Sequence, residues 1–196
     1  MSDLPVARFS ESRYTARRNF FNFMGITCRI LSPAGPMLYF VRLKAFKLKE
    51  DITVFADEAK TQPLLNIKAR QIIDFSAAYD VVDVQSGQKL GAFRRKGWKS
   101  ILKDEWEILD NQDQPVGLMQ EDSALMATLR RFLSNLIPQN FTFSMGGHVV
   151  ANLTGTWNPF VVKYDVNLDV DTHNQLDKRM ALCGVVLLMA VEGKQG

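Results

Sequence analysis

Polar and apolar positions in this chain follow two rhythms. Over residues 160–171 they alternate almost without a break. Phe160, Val162, Tyr164, Val166, Leu168 and Val170 fall on one side, and Val161, Lys163, Asp165, Asn167, Asp169 and Asp171 on the other. Twelve residues of period two predict a strand with one face in a core and one in water. The alternation then stops, and residues 180–191 form a run of twelve without a charge. Such a run falls short of the roughly 20 apolar residues that a membrane span needs. It is apolar on every side, so as a helix it must be surrounded on every side. The loop 172–177 leads into it, with Asp177 placed to cap the start.

Short strand patterns upstream supply what could surround such a helix. Val41, Leu43 and Ala45 share a face opposite Arg42 and Lys44, and the apolar side then switches to Phe46 and Leu48, which predicts a bulge. Further strands are predicted over 52–56, 65–75, 79–84, 90–95, 98–102, 106–109, 116–120, 141–145 and 149–153. Between them stand the turn formers Gln62-Pro63, Ser86-Gly87, residues 111–115 and Gly146-Gly147. Asp57, Asp83 and Asp110 each close a strand, with an apolar residue opening the next after a short polar loop, as in successive hairpins of a meander. Residues 122–137 break the rhythm. Leu125, Leu129, Phe132 and Leu136 recur at helical spacing, Asp122 or Ser123 can cap the start, and Pro138 ends the segment. An antiparallel sheet curled around the apolar helix, with this one lateral helix, accounts for the whole pattern. Residues 1–36 lack such regularity and read as a basic N-terminal arm, leaving 37–196 as the barrel domain.

Composition narrows the function classes. The apolar share of 46% and charged share of 23% suit a soluble globular domain. Two cysteines, Cys28 and Cys183, imply no disulfide framework, and the first residues lack the apolar run of a secretion signal. The expected location is the cytoplasm, with peripheral contact to a membrane as an option. Charge is distributed unevenly: residues 1–49 hold nine Lys/Arg against Asp3 and Glu11, whereas the remainder is mildly acidic. A basic end suggests either a polyanionic partner or a solvated arm. Arg17-Arg18 running into Phe20, Phe21 and Phe23 could dock on a membrane or pack onto the domain.

Candidate chemistry is sparse. His148 follows a predicted turn and His173 lies in a loop, so neither sits in an evident Ser/His/Asp or Cys/His arrangement. Neither a cysteine pair at zinc spacing nor a phosphate-cradling glycine loop occurs. The expected protein is not an enzyme, and no cofactor is called for. The acids Asp169 and Asp171 are the weak candidates for calcium. A loop opened by Asp169 would place Asn174 where an EF-hand needs glycine and Met180 where it needs a bidentate glutamate. The basic candidates for an anionic ligand are Arg42 and Lys44 on one strand, and Arg94, Arg95, Lys96 and Lys99 around Gly97 and Trp98. Nucleic acid is the alternative polyanion for the same residues.

The order of elements, with Leu168-Asp169-Val170-Asp171 feeding an apolar helix that holds Gly184 and ends at Glu192, resembles the tubby C-terminal-like superfamily. Within it, the phospholipid scramblase and LURP-one-related branch is the most similar, over roughly residues 37–192. The resemblance implies a barrel of about twelve strands around the C-terminal helix. It further implies a lipid-headgroup patch at one of the basic clusters and, as an alternative function, scramblase-like lipid movement with the C-terminal segment in the bilayer. The chain departs from scramblases in lacking their Pro-rich tail and their lipidated cysteine cluster.

Overall fold

Period-two burial passes from strand to strand around a closed wall. The computed structural model describes residues 9–19, 26–43, 51–70, 77–95, 105–122, 139–156 and 161–192. Within them lie β1 (Arg13–Asn19), β2 (Ile26–Leu31), β3 (Met37–Leu43), β4 (Ile52–Phe55), β5 (Pro63–Ala69) and β6 (Ala78–Asp83). These are followed by β7 (Lys89–Arg95), β8 (Glu105–Leu109), β9 (Pro115–Glu121), β10 (Asn140–Met145), β11 (His148–Thr156), β12 (Val161–Asn167) and the helix α1 (Lys178–Glu192). The strands form an antiparallel meander, and β1 pairs with β12 from Arg13↔Asn167 to Asn19↔Val161, so the sheet has no open edge.

Residues Met180 to Met189 of α1 are all buried. They share one core with inward side chains such as Tyr14, Ile30, Val54, Phe93, Phe143 and Tyr164. A barrel of about eight strands fills its lumen with its own side chains, and a wider one needs a filler. A helix about 10–12 Å across supplies it. At about 1.5 Å per residue α1 is roughly as long as a seven-residue strand, so one helix spans the barrel. At Gly184 a Cβ would come within 2.8 Å of the Phe143 ring and 3.0 Å of the Phe93 ring; the missing side chain is where those rings lie on the helix.

Both ends of this pillar are fastened. Asp177 caps it as expected, its carboxylate accepting from the Arg179 amide at 2.8 Å. The Arg179 guanidinium meets Asp83 at 3.0 Å at the mouth of the wall. At the far end, fully buried Arg18 donates to the Met189 carbonyl, a cation at a helix C-terminus.

The repeated aspartates are turn caps. Asp57 accepts from the Thr61 and Gln62 amides, Asp83 from Ser86, and Asp110 from Gln112 and Gln114. Gly146 and Gly147 close the β10–β11 hairpin with φ of 54° and 85°, the doubly positive turn that glycine favours.

Three expectations change. The barrel begins at Arg13 rather than residue 37: within the supposed arm, residues 13–19 and 26–31 are wall strands. Arg18 occupies an inward position after Tyr14 and Ala16, and this buried cation interrupts the apolar alternation that would have marked β1. The last strand ends at Asn167, because the chain turns there to enter α1, and Val170 is exposed. The C-terminal segment is enclosed by the wall, which removes the alternative that places it in a bilayer. No helix among the described residues is long and apolar enough to cross a membrane. The predicted lateral helix over 122–137, the strand over 98–102 and the bulge near Ala45 lie outside the described residues, apart from Asp122.

A candidate anion-binding surface

Antiparallel order sorts the chain's turns onto two ends. The β2–β3, β4–β5, β6–β7, β8–β9 and β10–β11 hairpins share one end with the loop entering α1. That end carries Asp57, Glu58, Asp83, Asp110, Asp113, Asp169, Asp171 and Asp177. Several of its cations are taken up by carboxylates: Arg13 by Asp169, Lys89 by Asp113 at 2.7 Å, and Arg179 by Asp83 and Asp177. The opposite end receives the strand ends with Arg17, Arg42, Arg94 and Arg95, and also those with Asp51, Glu105, Glu121 and Asp122. The segments joining those strand ends, 20–25, 44–50, 71–76, 96–104, 123–138 and 157–160, lie outside the described residues. By sequence they contain Lys44, Lys47, Lys49, Lys96, Lys99, Lys103, Arg130 and Arg131 against Glu50, Asp74 and Asp104.

The sequence-predicted cations do not converge on one cluster. Arg42 is exposed on the outer face of β3. Arg94 and Arg95 stand four strands away on β7, about 19 Å at the usual 4.8 Å strand spacing. Arg94 forms an ion pair with Glu107 of β8 at 2.5 Å, so part of its charge is spent within the wall. Arg95 lies 5.8 Å from the ring of the core residue Trp106, opposite it on β8. Lys44, Lys96 and Lys99 lie outside the described residues.

The neighbours that Arg42 does have come from strands the sequence kept far apart. Closure of the barrel sets Lys163 of β12 opposite Arg17 of β1, and Arg17 opposite Arg29 of β2. Arg42 faces Thr27 on the next rung. Arg29 holds Glu58 through two nitrogens, at 2.5 and 3.0 Å, and its guanidinium lies 5.8 Å from the Phe40 ring. The hydrogen bond that Arg29 donates to Glu58 leads the causes that raise the Arg29 pKa, and the same bond lowers that of Glu58. Lys163 meets Asp165 at 3.1 Å, and the Thr15 hydroxyl fixes that carboxylate at 2.6 Å. Only Arg17 carried a local signal in the sequence, its place in the basic and aromatic stretch. Arg29 and Lys163 had none, because their proximity exists only through strand pairing.

The calcium candidates are engaged by their own chain. Asp169 accepts from Ser12 and Arg13, and Asp171 accepts from the Gln175 and Leu176 amides at 3.0 and 2.9 Å. Among the described residues no three metal-ligating side chains form a group. The donor set does not fit the ion, and nothing further is built on it. Burial pushes the Cys28 thiol up to about 12 and raises that of Cys183 as well, so both are neutral core groups rather than nucleophiles.

Known proteins agree with this architecture. The LURP-one-related family model matches residues 37–189. Among solved structures, an X-ray structure of a protein from Arabidopsis thaliana is similar with a TM-score of 0.50 at 12% identity, covering 99% of this chain and 100% of that one. Likeness at that identity speaks to the fold alone. Curated proteins give no match.

Proposed function

Because the chain belongs to the LURP-one-related family, we propose that it is a non-enzymatic binding module that meets anionic lipid headgroups with the basic end of its barrel. The supporting observation is the contrast between the two ends: acidic turn caps at one, and at the other strand ends of mixed charge joined by segments that hold eight Lys/Arg against three Asp/Glu in the sequence. A molecule polarised in this way is oriented by a negatively charged surface before contact. The contacts would come from Arg42, Arg94 and Arg95, joined by Lys44, Lys96 and Lys99. A binding rather than catalytic role fits the exposed positions of His148 at the start of β11 and His173 in the loop before α1, and the raised thiol pKa values.

Vesicle sedimentation tests the reading. Phosphatidylcholine vesicles containing phosphatidylserine should retain the protein at low salt. Raising the salt toward 1 M, where the Debye length falls to about 3 Å, should release it. Equal retention on pure phosphatidylcholine would remove the proposal.

A further inference from the structure

Three neighbouring strands bring inward side chains of different character to the basic end of the barrel. Arg95 closes β7, Trp106 stands second in β8, and Glu121 closes β9. Arg95 is paired with the core residue Trp106, and Glu121 with the core residue Phe141, so all three face the lumen. Across the rim they read cation, indole, carboxylate. Trp106 is 1% exposed, and its Nε1–H meets no acceptor among the described residues. A buried donor without an acceptor forfeits the hydration it has in the unfolded chain, and native proteins hold few of them. The indole is held in place by the Tyr79 ring at 5.9 Å and by the Arg95 guanidinium at 5.8 Å. An oxygen at Nε1 gains from being anionic, because Arg95 is beside it. A bare anion would also meet the charge of Glu121, which is 4% exposed, whereas a ligand with a cationic arm would be drawn to it. Neither charged group has to lack a partner of its own. A guanidinium carries five N–H donors and a carboxylate about four acceptor sites. The backbones of β7 and β9 stand two strands apart, about 10 Å at the usual spacing, which the two side chains and one small ligand can span.

We propose that Arg95, Trp106 and Glu121 form a seat for an aminocarboxylate. Its carboxylate accepts from the indole N–H and the guanidinium, and its ammonium donates to Glu121. The inference rests on the headgroup reading and deepens it, because phosphatidylserine carries this group and phosphatidylglycerol, of the same net charge, does not. A free amino-acid derivative offers the same chemistry.

Two measurements on the full chain test it. Phosphatidylcholine vesicles carrying equal fractions of phosphatidylserine or phosphatidylglycerol differ in headgroup but not in charge. Wild type should sediment with the phosphatidylserine vesicles at about tenfold lower lipid concentration, the worth of one hydrogen bond to a charged group. Trp106→Phe keeps an aromatic ring and removes the donor. It should lose that preference while still binding phosphatidylglycerol. Glu121→Gln, which removes the charge with little change of shape, should do the same, and it replaces Trp106→Phe if that variant folds poorly. In thermal unfolding at matched ionic strength, free O-phosphoserine should raise the wild-type Tm above its value in glycerol phosphate, since a ligand that binds only the folded state stabilises it. The variants should lack that rise. A rise in wild type with equal retention on the two vesicles assigns the seat to a free amino-acid derivative rather than a headgroup. Absence of both the vesicle preference and the Tm response, or their persistence in a folded variant, would overturn the seat. Retention on both anionic vesicles above pure phosphatidylcholine in that event would leave the membrane reading standing.

Discussion

Gly91 and Gly184 both lie in the core, yet they resist a side chain for different reasons. A Cβ at Gly184 would press on the rims of the Phe143 and Phe93 rings, whereas one at Gly91 would strike the backbone carbonyl of Leu109 on the paired strand as well as Met180. Rings can tilt; a carbonyl in a hydrogen-bonded wall can move only with its strand. Gly91→Ala should therefore cost near the upper end of the overpacking range, about 3 kcal/mol. That corresponds to a Tm lower by roughly 6–12 °C at this chain length. Gly184→Ala gains about 1 kcal/mol of helix propensity, which offsets part of its strain. Its loss should be less than half as large, and Phe143→Leu should couple favourably with it in a double-mutant cycle. Calorimetry of wild type, the three single variants and the double variant checks the order. Equal losses at the two glycines would contradict the distinction between ring and backbone.

At the scale of elements, the entry of α1 depends on charge as well as on apolar surface. Burial acts to raise the Asp83 pKa, but hydrogen bonds from the Ser86 amide, the Arg179 guanidinium and the Ser86 hydroxyl outweigh it and leave the carboxyl below its ordinary value. A folded value below the unfolded one, near 3.9, means that the stabilisation is complete above that pH. It is lost as pH falls through the folded value. Asp80 and Asp113, which share Arg70 and Lys89, are lowered as well and act in the same sense. The urea midpoint should therefore fall steeply below about pH 4. Asp83→Asn leaves Arg179 partly exposed and still paired with Asp177, so its cost at neutral pH should be about 1–3 kcal/mol, short of that for a fully buried pair. The acid limb of the variant should be shallower than that of wild type. A limb of unchanged slope would show that the pair does not fasten the helix. These turn aspartates were legible from spacing alone, because a strand, a carboxylate and a short loop recur together. β1 was not: its inward arginine and flanking Arg13 and Arg17 imitate a solvated basic arm.

Taken as a whole, the molecule was readable where its pattern is local and opaque where it depends on closure. The buried helix and the meander follow from periodicity, and Arg42 was visible on its own strand. The company Arg42 keeps was not, since residues 17, 29 and 163 become neighbours only when β1 pairs with both β2 and β12. Closure in turn requires the filler. A twelve-strand wall with its lumen vacated would expose inward faces such as those of Ile30, Leu65, Phe93 and Phe143 to water. Each large side chain so exposed forfeits about 1.5–3 kcal/mol. A handful of them exceeds the 5–15 kcal/mol by which a domain is stable. A chain ending at Leu176 keeps every strand of the wall and loses only the cap and the helix. It should give no cooperative urea transition by circular dichroism and should expose apolar surface to a fluorescent dye. The 177–196 segment added as a separate peptide should restore the transition in proportion to its concentration, as expected when two pieces share one core. A truncated chain that unfolds as sharply as the full length would mean that the wall closes without its pillar.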